Sequence, residues 1–441
     1  MRPLVSRPEE GTATDTREKY ERYVNTSFTG GLEPIAIARG EGARLLAQDG
    51  REYIDCFAGI SVVNAGHVHP KVRDAAKAQI DRLIHASSYT YYLEPVADLA
   101  ERLAAVTPGR LQKTFFANSG AEGIEAAMRM AKAFTGRHEF IALERSFHGR
   151  SVGTLSLTGN MSRKSRGGPY LSGIAFAPAP YPYRSRFAGD AEEIGRQAAA
   201  ALEDVIRFHT SGDVAAFIAE PVMGEGGIIV PPRSYLPQVK EILDRHGILL
   251  IADEVQCGFG RTGRLFAVEH FGVEPDILVS AKGIADGFPL SATIARPEVA
   301  DSFRPGEHLS TFGGNPVSCA AAIANLDAMR EEDLPGRAAR LGEQALARLR
   351  EESSDMACVG EARGLGLMIG IELVKDRVSK EPDPGLAKAV RAYCRDHGVL
   401  IGVGGVDGNV LRLQPPLVIA GGDLDEALTV VLAALQGSCA A

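Results

Sequence analysis

Asp253 and Lys282 each stand just past a short apolar run. Asp253 follows Gly247-Ile248-Leu249-Leu250-Ile251-Ala252, and Lys282 follows Asp276-Ile277-Leu278-Val279-Ser280-Ala281. Runs of this length, bounded by glycine and polar residues, read as buried strands of a parallel sheet. Ligands of such sheets bind outside the carboxyl ends of the strands. The carboxylate and the amine are therefore expected to face one cleft. That pairing suits pyridoxal phosphate chemistry. The amine carries the cofactor aldehyde, and the carboxylate keeps the pyridine nitrogen protonated so that the ring accepts electrons. Two unrelated surface charges are the alternative, and the surrounding stretches argue against it.

Asn118-Ser119-Gly120-Ala121-Glu122 joins a strand-like run to a helical one. Free amides and the helix dipole at such a junction bind phosphate, and Gly120 lets the main chain approach. The same residues also suit a capping box, Ser119 with Glu122. In Ser146-Phe147-His148-Gly149-Arg150, Phe147 can stack on a planar ring and Arg150 can grip a carboxylate. His148 reads as structural. Glu220-Pro221-Val222-Met223-Gly224-Glu225 places two carboxylates around a flexible turn, where a mobile Glu225 can pair with and release an arginine; the alternative is a surface loop. In Asp253-Glu254-Val255-Gln256, Val255 can pack on a ring face and Gln256 can meet a ring hydroxyl. Thr311, before Phe312-Gly313-Gly314-Asn315-Pro316, can bind phosphate. Arg412 lies in Val410-Leu411-Arg412-Leu413, where burial is costly unless it meets an anion.

Gly258-Phe259-Gly260-Arg261-Thr262-Gly263 matches a dinucleotide fingerprint and follows a strand. A pyrophosphate would sit beside those glycines. Asp253 and Glu254 at the same strand end would repel it, so the match is taken as accidental.

The elements that must position these residues follow from pattern. From about 70 to 320, strand-like runs alternate with helical ones, as in 114–117, 139–143 and 215–219. This predicts an α/β, doubly wound domain. A helix is expected over 121–135, with Ile124, Ala127, Met128 and Ala131 on one face and Gly136 as its C-cap. Residues 43–55 read as a hairpin. A helix over 334–352, strand signals at 363–374 and 409–413, and a last helix near 423–436 form a smaller lobe. The expected division is a disordered tail over 1–16, an N-terminal segment of the small domain over 17–65, a large domain over 66–325, and a C-terminal small domain over 326–441.

Composition narrows the function classes. The formal charge of -8 and the absence of a basic stripe argue against nucleic acid as partner. No apolar run reaches membrane-spanning length, and Met1–Thr16 resembles no signal peptide. The six cysteines are scattered without a C-x-x-C pair, and His67 and His69 lack a matching second pair of metal ligands. Reduced thiols, no metal and a cytoplasmic enzyme are expected.

The six motif stretches, in order and approximate spacing, resemble the class III (ω-amino acid) aminotransferases of fold type I from about residue 30 to the C-terminus. The resemblance implies a mostly parallel seven-stranded sheet in a large domain and a smaller α+β domain from both termini. It implies pyridoxal 5'-phosphate as cofactor. Lys282 would carry it and move the proton, and Asp253 would pair with the pyridine nitrogen. Gln256 would contact the ring hydroxyl, and Val255 and Phe147 would sandwich the ring. Ser119, Gly120 and Ala121 would cradle the phosphate, with Thr311 added from the neighbouring subunit of a homodimer or a tetramer with shared sites. Ile60, Arg150, Glu220, Glu225 and Arg412 would form the substrate side, with Tyr91 or Tyr92 as further candidates. In the branch similar to 4-aminobutyrate, ornithine and acetylornithine aminotransferases, Arg412 meets an α-carboxylate and Arg150 the other one, and Glu225 folds onto Arg412 when the donor has no α-carboxylate. The expected reaction is ping-pong transfer from an amine donor, 4-aminobutyrate first, to an oxo acid, 2-oxoglutarate. Phe147 in place of a common tyrosine, and Leu309–Pro316, also resemble the alanine–glyoxylate and β-amino acid branch with pyruvate or glyoxylate as acceptor. Ornithine-type, amino-sugar or polyamine transfer, and racemisation on the same scaffold, stay open.

Overall fold

Seven apolar runs pair into one sheet in the computed structural model, which describes residues 15–439. In chain order they are β1 Lys113–Ala117, β2 Glu139–Leu143, β3 Ile174–Ala177, β4 Val214–Ala219, β5 Leu249–Asp253, β6 Ile277–Ser280 and β7 Ser291–Ala295. The spatial order is β1-β7-β6-β5-β4-β2-β3. Every residue of β4, β5, β6 and β7 is buried, which explains their unbroken apolar character. All pairings are parallel except those of β7, which runs antiparallel to β1 and β6. The sequence pattern does not reveal this reversal, because a strand buried on both faces reads alike in either direction.

The reversed strand has a consequence for the cleft. Six strands deliver the residues that follow them to one edge. β7 delivers the residues that precede it, Gly287–Leu290, to that same edge. Helix Gly120–Thr135 packs across β6 and β7 with Ile124, Ala127, Met128 and Ala131 buried. Gly136 ends it in a left-handed conformation, φ 70°.

A second lobe draws on both ends of the described chain. Ile37–Glu41, Arg44–Ala47 and Glu52–Asp55 form an antiparallel set, and Val399–Leu400 adds to it in parallel. Val359–Leu365, Met368–Leu373, Val410–Leu413 and Gly402–Gly404 form an antiparallel sheet. Ala43, Ile54, Cys56 and Ala65 share one core with Leu346, Ile369, Leu411 and Leu428. The expected junction at 325 falls inside helix Pro316–Glu331, which packs on helices Pro70–Arg82 and Glu94–Val106. The chain turns instead at Asp333, whose carboxylate caps helix Leu334–Glu352.

The tail expected over 1–16 lies outside the described residues except for Asp15 and Thr16. There Asp15 caps a helix over Thr16–Tyr23, since its carboxylate accepts from the Arg17 amide. Cys56, Cys257, Cys319 and Cys394 are free and buried, whereas Cys358 is disulfide-bonded. The expectation of reduced thiols is corrected there, because spacing along the chain carries no pairing information. Among the described residues no helix is long and apolar enough to cross a membrane, and no acidic, histidine or cysteine cluster suits a metal.

Candidate active site

Asp253 is the last residue of β5, and Lys282 lies two residues past β6 at the start of a short 3-10 turn. Both line one cavity of about 310 Å³, with Ser119, Gly120, Ala121, Phe147, Glu220, Val255 and Gln256 among its walls. Strand ends and the helix start explain the convergence. Lys282 has φ 23°, a backbone conformation unfavourable for a residue with a side chain.

Asp253 is held at both oxygens. Oδ1 accepts from the Val255 amide at 3.0 Å, and Oδ2 lies 2.7 Å from His148 Nδ1. Both side chains are buried. His148, read from sequence as structural, therefore positions the carboxylate, a role that needed the tertiary contact to show itself. Burial lowers the pKa of Lys282, while Asp253 and Glu220 act in the opposite direction. That direction is the one a proton carrier needs.

The Ser119 junction satisfies both sequence readings. Ser119 Oγ accepts from the Glu122 amide, and Glu122 Oε2 accepts from the Ser119 amide, each at 3.2 Å, which is a capping box. The Ser119 amide is thus engaged. The amides of Gly120 and Ala121, in the first helical turn, have no acceptor within the helix. A Cβ on Gly120 would lie 2.7 Å from Val255 Cγ1, so only glycine keeps the wall open there. Gln256 Oε1 accepts from Gln414 Nε2 at 3.0 Å, which leaves the Gln256 amide nitrogen to donate into the cavity. The donor set, the buried carboxylate and the glycine wall fit pyridoxal phosphate. Ser119 Oγ and the Gly120 and Ala121 amides would take its phosphate, Asp253 its nitrogen, Gln256 its ring oxygen, and Lys282 its aldehyde.

The substrate side is electrostatic. Glu225 Oε2 lies 2.8 Å from Arg412 Nη1, and Glu225 Oε1 contacts Arg163 Nη2. Arg412 is buried, as an anion-binding strand residue would be, and its guanidinium stands 5.3 Å from the Phe57 ring centre. Arg163 is absent from every motif singled out in the sequence; a basic residue in a polar loop gives no signal. Arg150 is exposed, 5.4 Å from the Phe147 ring centre, and has no carboxylate partner among the described residues. Glu220 accepts from the Phe147 amide at 3.0 Å and the Gly224 amide at 2.9 Å, tying two loops together. Burial raises its pKa to about 7.

The stretch around Glu225 is neither flexible nor superficial. Met223 and Ile229 exchange both backbone hydrogen bonds, and residues 221–229 are buried except for Glu225 itself. Arg363 donates to the carbonyls of Gly227 and Ile228 at 2.6 and 2.9 Å. Paired glycines suggest looseness, but here the neighbours leave no room: a Cβ on Gly226 would meet the Arg145 carbonyl at 2.6 Å.

Seven expected residues are not among the walls of this cavity: Arg150, Glu225 and Arg412, described above, and Ile60, Tyr91, Tyr92 and Thr311. Ile60 is exposed in a left-handed turn, φ 72°, while Val62 lines the wall. Tyr91 and Tyr92 are exposed. Thr311 is exposed on the loop before helix Pro316–Glu331 and does not line the cavity of its own chain. The glycine fingerprint proves to be a clamp. Arg261 is fully buried and donates to the carbonyls of Leu367 and Pro415 at 3.0 and 2.5 Å and to Asn64 Oδ1 at 2.6 Å.

The model of the aminotransferase class-III family matches residues 29–435. An acetylornithine aminotransferase of Methanopyrus kandleri is 43% identical over 96% of this chain and 100% of its own. A probable 4-aminobutyrate aminotransferase of Bacillus subtilis is 37% identical over 96% of this chain and 98% of its own. Among solved structures, a pyridoxal phosphate-bound amine transaminase from an uncultivated Pseudomonas species is 35% identical, with a TM-score of 0.87 over 99% of each chain.

Proposed function

Since the chain belongs to the class-III aminotransferases, whose cofactor is pyridoxal phosphate, we propose that it moves the terminal amino group of an ω-amino carboxylic acid to 2-oxoglutarate. The observation that carries this reading is the Glu225–Arg412 pair beside Lys282, with Arg150 left unpaired. A donor such as 4-aminobutyrate has one carboxylate and one amine. Its carboxylate would take Arg150, and its amine would reach Lys282, while Glu225 keeps Arg412 neutralised. 2-Oxoglutarate has two carboxylates. Its α-carboxylate would take Arg412 once Glu225 withdraws. One site thus serves two differently charged substrates. Acetylornithine and 4-aminobutyrate, named for the two relatives, share a terminal amine remote from a carboxylate.

The cofactor, when bound, supplies the electron sink that makes the donor carbon acidic. Asp253 would hold the proton on its ring nitrogen, with His148 fixing the carboxylate. Lys282 would take the proton from the donor carbon. Phe147 and Val255 would hold the ring plane, and Gly120 and Ala121 would orient it through the phosphate. Thr311, exposed and outside its own cavity, would complete the phosphate cup of a second copy in a homodimer. Sedimentation of the holoenzyme as a monomer would remove that assignment.

The test is the visible spectrum of the holoenzyme with 4-aminobutyrate and no acceptor. The expected result is loss of the visible band and its return on adding 2-oxoglutarate. A band indifferent to 4-aminobutyrate but responsive to acetylornithine moves the donor within the same reading. Response to α-amino acids alone overturns it, and turnover of one enantiomer without an acceptor assigns a racemase instead.

A further inference from the structure

Glu225 has two arginines, and the reading above uses only one. Its Oε2 meets Arg412 Nη1 at 2.8 Å, and its Oε1 meets Arg163 Nη2. The three side chains grade outward, 4% exposed for Arg412, 15% for Glu225 and 33% for Arg163. The backbone at Glu225 cannot swing. The Gly405 amide donates to its carbonyl at 3.1 Å, Met223 and Ile229 close the turn, and Arg363 anchors Gly227 and Ile228. Release of Arg412 must therefore be a side-chain rotation about a fixed Cα.

A half-buried carboxylate stripped of its cation is costly. Arg163 removes that cost, since it already holds the other oxygen. It ends a three-residue 3-10 turn, Met161–Arg163, and its buried Nε has no hydrogen-bond partner, which leaves the guanidinium a further donor for the displaced carboxylate. We propose that Arg163 is the dock of Glu225, the group that keeps the carboxylate paired while an incoming α-carboxylate occupies Arg412. This rests on the two-arginine reading of the substrate side. Arg163 is a positioning residue: it acts through Glu225, not on the substrate.

Glutarate and valerate test it, because they share a five-carbon chain and differ by one carboxylate. Both are titrated calorimetrically into the holoenzyme. Arg163→Gln is expected to weaken glutarate about tenfold, equivalent to about 1.4 kcal/mol, and to leave valerate within twofold. Arg163→Lys should restore most of the loss. In a Glu225→Gln background, which has no charge to dock, Arg163→Gln should change neither ligand. Equal losses for both acids overturn the dock and leave the two-arginine reading standing. A glutarate loss that persists with Glu225→Gln also overturns it, since Arg163 then touches the ligand itself. A wild-type protein that fails to prefer glutarate over valerate overturns the two-arginine reading, and the dock with it.

Discussion

At the proposed cofactor side of the site, groups are held largely by backbone; at the proposed substrate side, charged side chains hold one another. Asp253 is fixed by the Val255 amide and by buried His148, Glu220 by two amides, and Gly120 by the start of a helix. Glu225, on a rigid turn, bridges Arg412 of the strand Val410–Leu413 and Arg163 in one chain of ion pairs, and Arg150 is exposed without a carboxylate partner among the described residues. The difference follows from the task. A cofactor must meet the same atoms in both half-reactions, so its partners belong on elements that cannot shift. Donor and acceptor differ in charge, so their partners must be able to exchange.

The comparison breaks most visibly at Lys282. Lys282→Ala should lower turnover by more than about 10³-fold, near the upper range for loss of a positioned acid–base group. Stopped-flow single turnovers check it, and a rate within tenfold of wild type would move the proton carrier elsewhere. The rigid frame breaks at Arg261. Arg261→Ala leaves Leu367, Pro415 and Asn64 without their buried donor, an expected loss of about 3 kcal/mol in stability by denaturant titration.

Glu254 sharpens the frame through pH. Burial raises its pKa from 4.5 to about 7, against the amides of Ala267 and Val268 and the Cys257 thiol. The folded chain therefore keeps a proton that the unfolded chain releases at lower pH. The stability from this group is full below 4.5 and is lost as pH rises through about 7. The loss is on the order of 3 kcal/mol. Glu254→Gln should flatten the fall in stability between pH 5 and 8 by that amount, measured by urea melts at each pH. The adjustable end gives the smallest effect. Glu225→Ala should slow the 4-aminobutyrate half-reaction about tenfold more than the glutamate half-reaction, near 1.4 kcal/mol of selective loss. Equal slowing of both would show that Glu225 is part of the fixed end.

Strands β5 and β6, the helix over 120–135, the hairpin at 44–55 and the helix at 334–352 were legible because each carries a strong local period or an unbroken buried run. The motif residues at strand ends were legible for the same reason: once a strand is placed, the residue after it is placed. The reversal of β7 was not legible, since its residues look the same in either direction. The helix across residue 325 hid a boundary that composition alone suggested. Gly224, Gly226 and Gly227 suggested a loose turn, yet Arg363 and Gly405 lie far away in the chain, and they pin it.

By itself the chain determined which chemistry is available: an amine and a carboxylate past adjacent strands, a glycine at a helix start, and arginines in apolar or aromatic settings. Those depend on residue type and short-range pattern. Only the tertiary structure decided which groups share a charge. His148 with Asp253, Gln414 with Gln256, Arg163 and Arg412 with Glu225, and Arg261 with Asn64 are pairs 62 to 197 residues apart along the chain. Ion pairs and hydrogen bonds act over a few ångströms, and distance in space at that scale is set by packing, not by position along the chain.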